Sequence, residues 1–315
     1  MADSTMQAIR VHRYGGPEQL VLEQVARPEP QAGEVLVRID AAGVLPIEWK
    51  VRQGLIQRFQ PASFPYIPGS AFAGVVEQAG LGVEGFESGQ AVFGRSNNGT
   101  YAEYTVASVD TIAAKPEVLT FDEAAAISGG ATVAWTSLFD NGELQAGQHV
   151  LVTGAAGGVG SFSVQFARWK GARVIGTASA ANLEFVRSLG AETVVDYTTT
   201  PFEQVVHDVD LVLDAVGGET LRRAMGVVKP GGVLVSLLEQ PSQEQARARG
   251  IRAMHNAVAQ PFPSSDLLRT IAELIVSGQI SVTLGPIFAL RAAALAHELS
   301  QRGHGRGRIA LRIIG

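Results

Sequence analysis

The chain has 315 residues and a net charge of −5, a length that at roughly 150 residues per domain points to about two domains. Hydrophobic residues make up 46% and charged residues 17% of it, below the ~25% charged residues of ordinary soluble proteins, so a large core can be buried and a disordered chain is excluded. Cysteine is absent, which removes disulfides, thiolate nucleophiles and Cys-based zinc or iron–sulfur sites, and the acidic balance argues against nucleic acid as the main partner.

The first ten residues carry Asp3 and no apolar run, so no secretory signal is expected. Short β patterns follow at Gln7–His12, Leu20–Gln24, Val35–Ala41, Ala73–Ala79, Tyr101–Val106 and Thr111–Ala113, broken by Pro and Gly. They predict an antiparallel, barrel-like β domain. Thr120 with Glu123 forms a capping box ahead of an alanine-rich helix.

From about Val150 the texture becomes strand–helix alternation. Strands are predicted at His149–Val152, Arg173–Thr177, Thr193–Val195, Val209–Asp214 and Gly232–Leu237, with helices at Val159–Lys170, Asn182–Leu189 and Glu219–Val228. This order implies a parallel sheet with right-handed crossovers. Leu144–Ala167 carries no charge besides a possible one on His149, long enough to raise a membrane span. Its glycines and glutamines fit a buried strand–turn–helix better, and the chain reads as soluble and cytoplasmic. Beyond a polar stretch at 241–250, a strand is predicted at Ile251–Val258 and a helix at Asp266–Ser277 capped by Ser265. A helix near Ala292–Ser300 and a final strand at Ile309–Ile314 complete the chain. The segment Gly250–Val258 is expected to pair across a two-fold axis, giving a homodimer.

Val150–Gly160 is the most informative string. An apolar strand ends at Thr153, then Gly154, Ala155, Ala156, Gly157, Gly158, Val159 and Gly160 lead into a helix. Dinucleotide binding needs such a tight turn, a backbone without Cβ atoms beside the pyrophosphate, and a helix N-terminus facing the anion. NAD binders place an acid about 20 residues after the first glycine. Here Gly176–Asn182 contains none, and Ser179, Asn182 and Tyr197 can donate to a 2′-phosphate, so NADP(H) is the expected cofactor. The short-chain dehydrogenase pattern of Tyr with Lys four residues later is missing at all five tyrosines.

Several segments together carry a resemblance. These are Tyr14–Leu20, Ala41–Lys50, Gly69–Val76, Val92–Gly94, Gly99–Tyr104, the glycine turn, Asp214–Gly218 and Gly307–Leu311. The chain resembles the medium-chain dehydrogenase/reductase superfamily, in its zinc-free quinone oxidoreductase branch. The resemblance implies an α/β fold: a GroES-like β-barrel catalytic domain, residues 1–122 completed by 281–315, plus a Rossmann doubly wound parallel-sheet domain, residues 123–280. It also implies a dimer. Zinc-dependent relatives use Cys and a Gly-His-Glu segment; here Gly69, Ser70 and Ala71 stand in that place and the six histidines show no ligand spacing.

The implied activity is NADPH-dependent hydride transfer to a quinone or an α,β-unsaturated carbonyl compound. Lys50, Tyr66 and Thr132 are candidate polar groups for it, with Leu45, Glu48 and Val133 around the substrate and Val216, Gly217 and Leu237 along the nicotinamide side. Leu45 and Val133 replace the Asn and Thr usual in the family, so the site is more apolar. This leaves open a non-redox cyclase- or lyase-like enzyme that kept the fold. A nucleotide-sensing or RNA-binding protein also stays open, with Arg302–Arg308 as an arginine–glycine run that otherwise reads as a solvated loop.

Overall fold

The computed structural model describes residues 4–256, 262–303 and 305–313. In chain order the first elements are β1 (Thr5–Arg10), β2 (Val21–Ala26), β3 (Glu34–Gly43), α1 (Pro46–Arg52), β4 (Ala71–Ala79), β5 (Ala91–Arg95), β6 (Tyr104–Ser108), β7 (Ile112–Ala114) and α2 (Phe121–Trp135). The middle of the chain follows with β8 (His149–Val152), α3 (Gly160–Trp169), β9 (Arg173–Ala178), α4 (Leu183–Ser188), β10 (Thr193–Asp196), β11 (Val209–Asp214), α5 (Gly218–Met225), β12 (Val228–Ser236), α6 (Gln243–Ala248) and β13 (Arg252–His255). Last come α7 (Ser265–Val276), β14 (Leu284–Ala289), α8 (Ala293–Arg302) and β15 (Arg308–Arg312).

These elements form two compact units. One is Met1–Gly129 with Phe262–Val276 and Val282–Gly315; the other is Gly130–Pro261 with Ser277–Ser281. The division within α2 falls at Gly129, not at residue 122, and α7 groups with the first unit, where it packs against β7. A helix placed by sequence order alone goes to the unit it interrupts; its buried face of Leu268, Ile271, Ala272 and Ile275 decides otherwise.

In the first unit a mostly antiparallel seven-stranded sheet runs β14-β15-β3-β4-β5-β7, with β6 also on β3. Strand β3 is its centre, and Val35, Val37 and Ile39 are fully buried at period-two spacing. Burying each such side chain contributes roughly 1.5–3 kcal/mol. A second cluster gathers Ile9, Val44, Tyr101, Leu290, Ala296 and Leu311. It joins the N-terminal strand to the C-terminal helix and strand.

The second unit is a six-stranded parallel sheet in the order β10-β9-β8-β11-β12-β13. Strand order reverses at β8, so the carboxyl ends of β8 and β11 flank a topological switch point. Its core includes Leu151, Phe202, Val212, Leu221 and Leu234.

Several local expectations need correction. The polar stretch at 241–250 contains helix α6, begun by Ser242, whose Oγ accepts from Gln245 N. The cap before α7 is Ser264, whose Oγ accepts from Leu267 N at 3.2 Å, not Ser265. Strand β14 was not expected, because it is an exposed edge strand without alternating burial. The Arg302–Arg308 run is not a uniformly solvated loop: Arg308 is 5% exposed and donates to Gly129 O at 3.3 Å. Among the described residues no helix is long and apolar enough to cross a membrane. Of the expected pairing segment Gly250–Val258, Val258 and its predecessor lie outside the described residues, and β13 is an edge of its sheet.

Candidate active site

The glycine turn sits where β8 meets α3. Gly154 has φ +64°, a left-handed conformation that L side chains rarely adopt. A Cβ on Gly160 would lie 2.2 Å from Gly154 O, so the turn closes only because that position has no side chain. Gly157 N donates to Gly154 O at 3.0 Å and Ala155 N to Thr177 O at 3.0 Å, which stitches the turn to itself and to β9. Helix α3 starts at Val159 with no side chain capping it. Ser161 N donates to Gly157 O at 2.9 Å, and with no side-chain cap the helix dipole at this end is suited to an anion. Ala155 and Ala156 are buried, while Gly157, Gly158 and Val159 are half-buried.

The neighbouring strand end holds this turn through a carboxylate that the sequence reading passed over. Thr153 Oγ1 donates to Asp214 Oδ1 at 2.7 Å and accepts from Ala215 N at 3.1 Å. Asp214 also accepts from Val216 N at 3.3 Å and Gly217 N at 2.9 Å, and burial raises its pKa. Leu237 N donates to Asp214 O at 2.9 Å. Gly154, Val216, Gly217 and Leu237 are thus brought to adjacent strand ends, and Val216 is exposed there. Gly218 N donates to Glu239 Oε1 on the same rim.

Ser179 and Asn182 follow β9, with Asn182 Nδ2 donating to Ser179 Oγ at 3.2 Å. Tyr197, exposed after β10, donates through its backbone N to Ala178 O at 3.2 Å. All three therefore gather beyond the carboxyl ends of β9 and β10. Of the flanking cations, Arg187 is paired with Glu184, and Arg173 lies at the opposite end of β9.

The first unit holds a different kind of site. Leu45 caps α1, Pro46 fills its first position, and Glu48 reaches back to accept from Leu45 N at 2.9 Å. The same carboxylate accepts from Ser70 N at 3.2 Å and from the Tyr101 hydroxyl at 2.6 Å. Arg52 Nε donates to His297 Nδ1 at 3.3 Å, and His297 Nε2 lies 3.2 Å from the Tyr101 hydroxyl. A guanidinium can only donate. His297 must therefore carry its proton on Nε2 and donate to Tyr101, whose O–H points at Glu48.

Burial lowers the His297 pKa to about 3, which keeps the imidazole neutral. Burial lifts Glu48 to about 7, against the pull of Tyr101, Leu45 N, Arg95 and Arg308. Tyr101, His297, Arg52, Arg95 and Arg308 were not among the candidates. They come from segments far apart in sequence, and no spacing links them.

Leu45 is 5% exposed and its Cδ2 fills the space beside Gly129, 2.3 Å from where a Cβ would stand. Lys50 is half-buried, its pKa lowered by burial, and among the described residues it has no carboxylate within 4.0 Å. Tyr66 is half-buried; its hydroxyl has no partner and burial raises its pKa to about 12. Leu45, Glu48 and Lys50 thus share α1 and its cap. Thr132 and Val133 belong to the second unit, Thr132 buried and Val133 half-buried, with Val133 O accepting from Ser137 Oγ at 2.7 Å. Among the described residues no three His, Asp or Glu side chains are placed to hold a metal ion.

Comparison with known proteins bears on these two sites. The family description "Alcohol dehydrogenase GroES-like domain" matches residues 31–117, and "Zinc-binding dehydrogenase" matches residues 189–311. A mouse quinone oxidoreductase is 34% identical over 318 residues, covering 96% of each chain. The chain belongs to the medium-chain dehydrogenase/reductase superfamily, in its quinone oxidoreductase branch. Another member, the tomato 2-methylene-furan-3-one reductase, is 37% identical over 247 residues, covering 74% of this chain and 62% of that one. A solved mycobacterial member complexed with NADPH superposes with a TM-score of 0.89 at 28% identity, covering 98% of this chain and 100% of its own. The superfamily's GroES-like and parallel-sheet Rossmann units are the two units described above.

Proposed function

We propose that this chain is an NADPH-dependent, zinc-independent oxidoreductase that transfers hydride to a quinone or an α,β-unsaturated carbonyl compound. The observation that carries the reading is the uncapped β8–α3 turn closed by Gly160, in a chain without cysteine. Supporting it are the relatives named quinone oxidoreductase and 2-methylene-furan-3-one reductase, and the NADPH complex of a structural neighbour.

A bound nicotinamide dinucleotide supplies the hydride; the chain supplies binding, orientation and charge. Gly154, Ala155, Ala156, Gly157, Gly158, Val159 and Gly160 hold the pyrophosphate. Ser179, Asn182 and Tyr197 receive the 2′-phosphate, since 176–182 brings no carboxylate to repel it. Val216, Gly217 and Leu237 line the nicotinamide side, and Leu45 and Val133 make the acceptor site apolar. Zinc does not fit the residues present. Ser70, standing where zinc-dependent relatives carry a ligand, gives its N–H to Glu48, and its hydroxyl oxygen accepts from Arg95. Lys50, Tyr66 and Thr132 remain polar candidates beside the acceptor. The same reading carries a homodimer through the β13 edge and a cytoplasmic location.

The non-redox and the nucleotide-sensing or RNA-binding alternatives have no observation in their favour, and the arginine–glycine run ends in the interior at Arg308. The deciding experiment follows NADPH and NADH oxidation with 1,4-naphthoquinone and a panel of enones, with and without EDTA. Faster oxidation of NADPH, unaffected by EDTA, is expected. Oxidation of neither dinucleotide with any acceptor overturns the reading, and EDTA-sensitive turnover overturns its zinc-free part.

A further inference from the structure

We propose that the loop 54–60 docks this chain reversibly onto an anionic lipid surface, with Leu55 and Phe59 entering the interface and Lys50 and Arg58 meeting the headgroups. The surface lies wholly within the first unit. It goes beyond the hydride-transfer reading above and does not depend on it.

The loop is built to stand out. It follows α1 as a run of turns in which Gln57 N donates to Gly54 O, and Phe59 N and Gln60 N donate to Ile56 O. Both of its ends are pinned on one side chain. Gly54 has φ +76°, and a Cβ there would lie 3.1 Å from Tyr14 Cγ. Ala62 N donates to the Tyr14 hydroxyl at 2.9 Å, and the Phe64 ring stands edge-on to Tyr14 at 4.8 Å. Between these anchors Leu55 is 63% exposed and Phe59 91% exposed, the most of any large apolar side chain among the described residues.

A lone exposed apolar side chain is ordinary; the charge around this one decides its use. Residues 49–76 contain Lys50, Arg52 and Arg58 and no Asp or Glu, in a chain with 30 acids against 25 bases. Arg52 is fully buried, so exposed Arg58 and half-buried Lys50 carry the outward charge. Among the described residues neither has a carboxylate within 4.0 Å. Glu18, which acts on Arg52 from the neighbouring segment, accepts from Gly16 N and Gln19 Nε2.

Leu81 provides the contrast. It is 85% exposed in a turn of the same unit, but Glu77, Glu84 and Glu87 flank it in sequence. An anionic surface repels that turn and attracts the 54–60 loop. Apolar side chains enter the boundary between headgroups and acyl chains while the cations beside them stay at the phosphates. In a two-fold contact a second copy would set these cations against their own kind, which favours lipid as the occupant. Two apolar side chains and two cations fall short of stable anchoring, so binding is reversible and weakens as salt rises.

The test is co-sedimentation of the full chain with vesicles of phosphatidylcholine containing about one-third phosphatidylserine, against vesicles of phosphatidylcholine alone. Binding to the mixed vesicles at low salt, lost at high salt, is expected. Phe59→Ser should weaken it about tenfold, the lower end for withdrawing one aromatic side chain from an apolar phase. Arg58→Glu should weaken it by a similar factor, and Leu81→Ser should leave it unchanged. Because the chain lacks cysteine, Gln60→Cys takes a single nitrobenzoxadiazole label, whose emission should rise on the mixed vesicles. The same label on Leu81→Cys should not respond. No binding at low salt, equal binding to both kinds of vesicle, or undiminished binding of Phe59→Ser each overturns the proposal. If Phe59→Ser instead abolishes a wild-type dimer in sedimentation velocity while neither form binds vesicles, the loop serves a second copy and the lipid proposal falls.

Discussion

The glycine turn of the second unit and the charged cluster of the first are built from opposite materials. The turn is backbone: its selectivity comes from missing side chains, a positive φ at Gly154 and an uncapped helix. Its parts lie within a dozen residues. The cluster is side chain: Glu48, Ser70, Arg95, Tyr101, His297 and Arg308 arrive from six places along the chain. A backbone site tolerates almost any change that keeps its path. A buried polar network tolerates almost none, because each lost partner leaves another group unpaired.

The largest test of that contrast is Glu48→Ala. It strips an acceptor from Leu45 N, Ser70 N and Tyr101 at once. A loss of roughly 3–5 kcal/mol in urea unfolding is expected, the range for breaking a buried charged network; a loss under about 1 kcal/mol would show that the cluster is not cohesive. Gly160→Ala comes next, forcing a Cβ against Gly154 O. It should cost about 1–3 kcal/mol of stability and weaken NADPH binding by calorimetry, and wild-type affinity would contradict the close-approach argument.

The pH dependence sharpens the comparison, because the cluster is made of titrating side chains and the turn itself of backbone. Glu48 sits at about 7 in the folded chain against 4.5 as a free group, so its contribution is present below 4.5 and lost as pH rises toward 7. This amounts to roughly 3 kcal/mol. His297 is depressed from 6.5 to about 3, so its contribution is present above 6.5 and lost as pH falls toward 3. Between 4.5 and 6.5 the two slopes oppose and stability should be nearly flat. Glu48→Gln should convert that plateau into a rise with pH, read by denaturant midpoints across the range; an unchanged plateau would refute the assignment.

Thr153→Val, which removes the 2.7 Å bond to Asp214 beside the turn, should cost about 1–2 kcal/mol by thermal unfolding. Tyr66→Phe should change least. The hydroxyl it removes has no partner, so a stability change within about 1 kcal/mol is expected. A larger loss would mean that the hydroxyl is bonded after all.

Legibility followed the same contrast. Strands His149–Val152 and Val209–Asp214 stand as read, because apolar runs between turn residues admit little else. Helix α6 and strand β14 were missed since one is short and polar and the other an exposed edge. Helix α7 was seen, yet its membership in the first unit depends on what Leu268 and Ile271 touch. At the site, every glycine of the turn could be named from spacing. Asp214 lay inside a quoted motif, and the link that gives it a purpose, Thr153, is 61 residues away. The residue types of Lys50 and Tyr66 suggest a donor and a proton relay; the connected polar contacts of the first unit run instead through Glu48, Tyr101 and His297.

By itself the sequence determined the backbone of the dinucleotide turn, the βαβ alternation around it and the absence of thiolate ligands. Each of these is a local property, written in neighbouring residues and their missing Cβ or sulfur atoms. Only the tertiary structure decided that Glu48 is buried under three donors and that His297 holds its proton on Nε2. Charge, tautomer and hydrogen-bond satisfaction depend on which groups meet in space, and in this chain those groups are separated by as many as 245 residues.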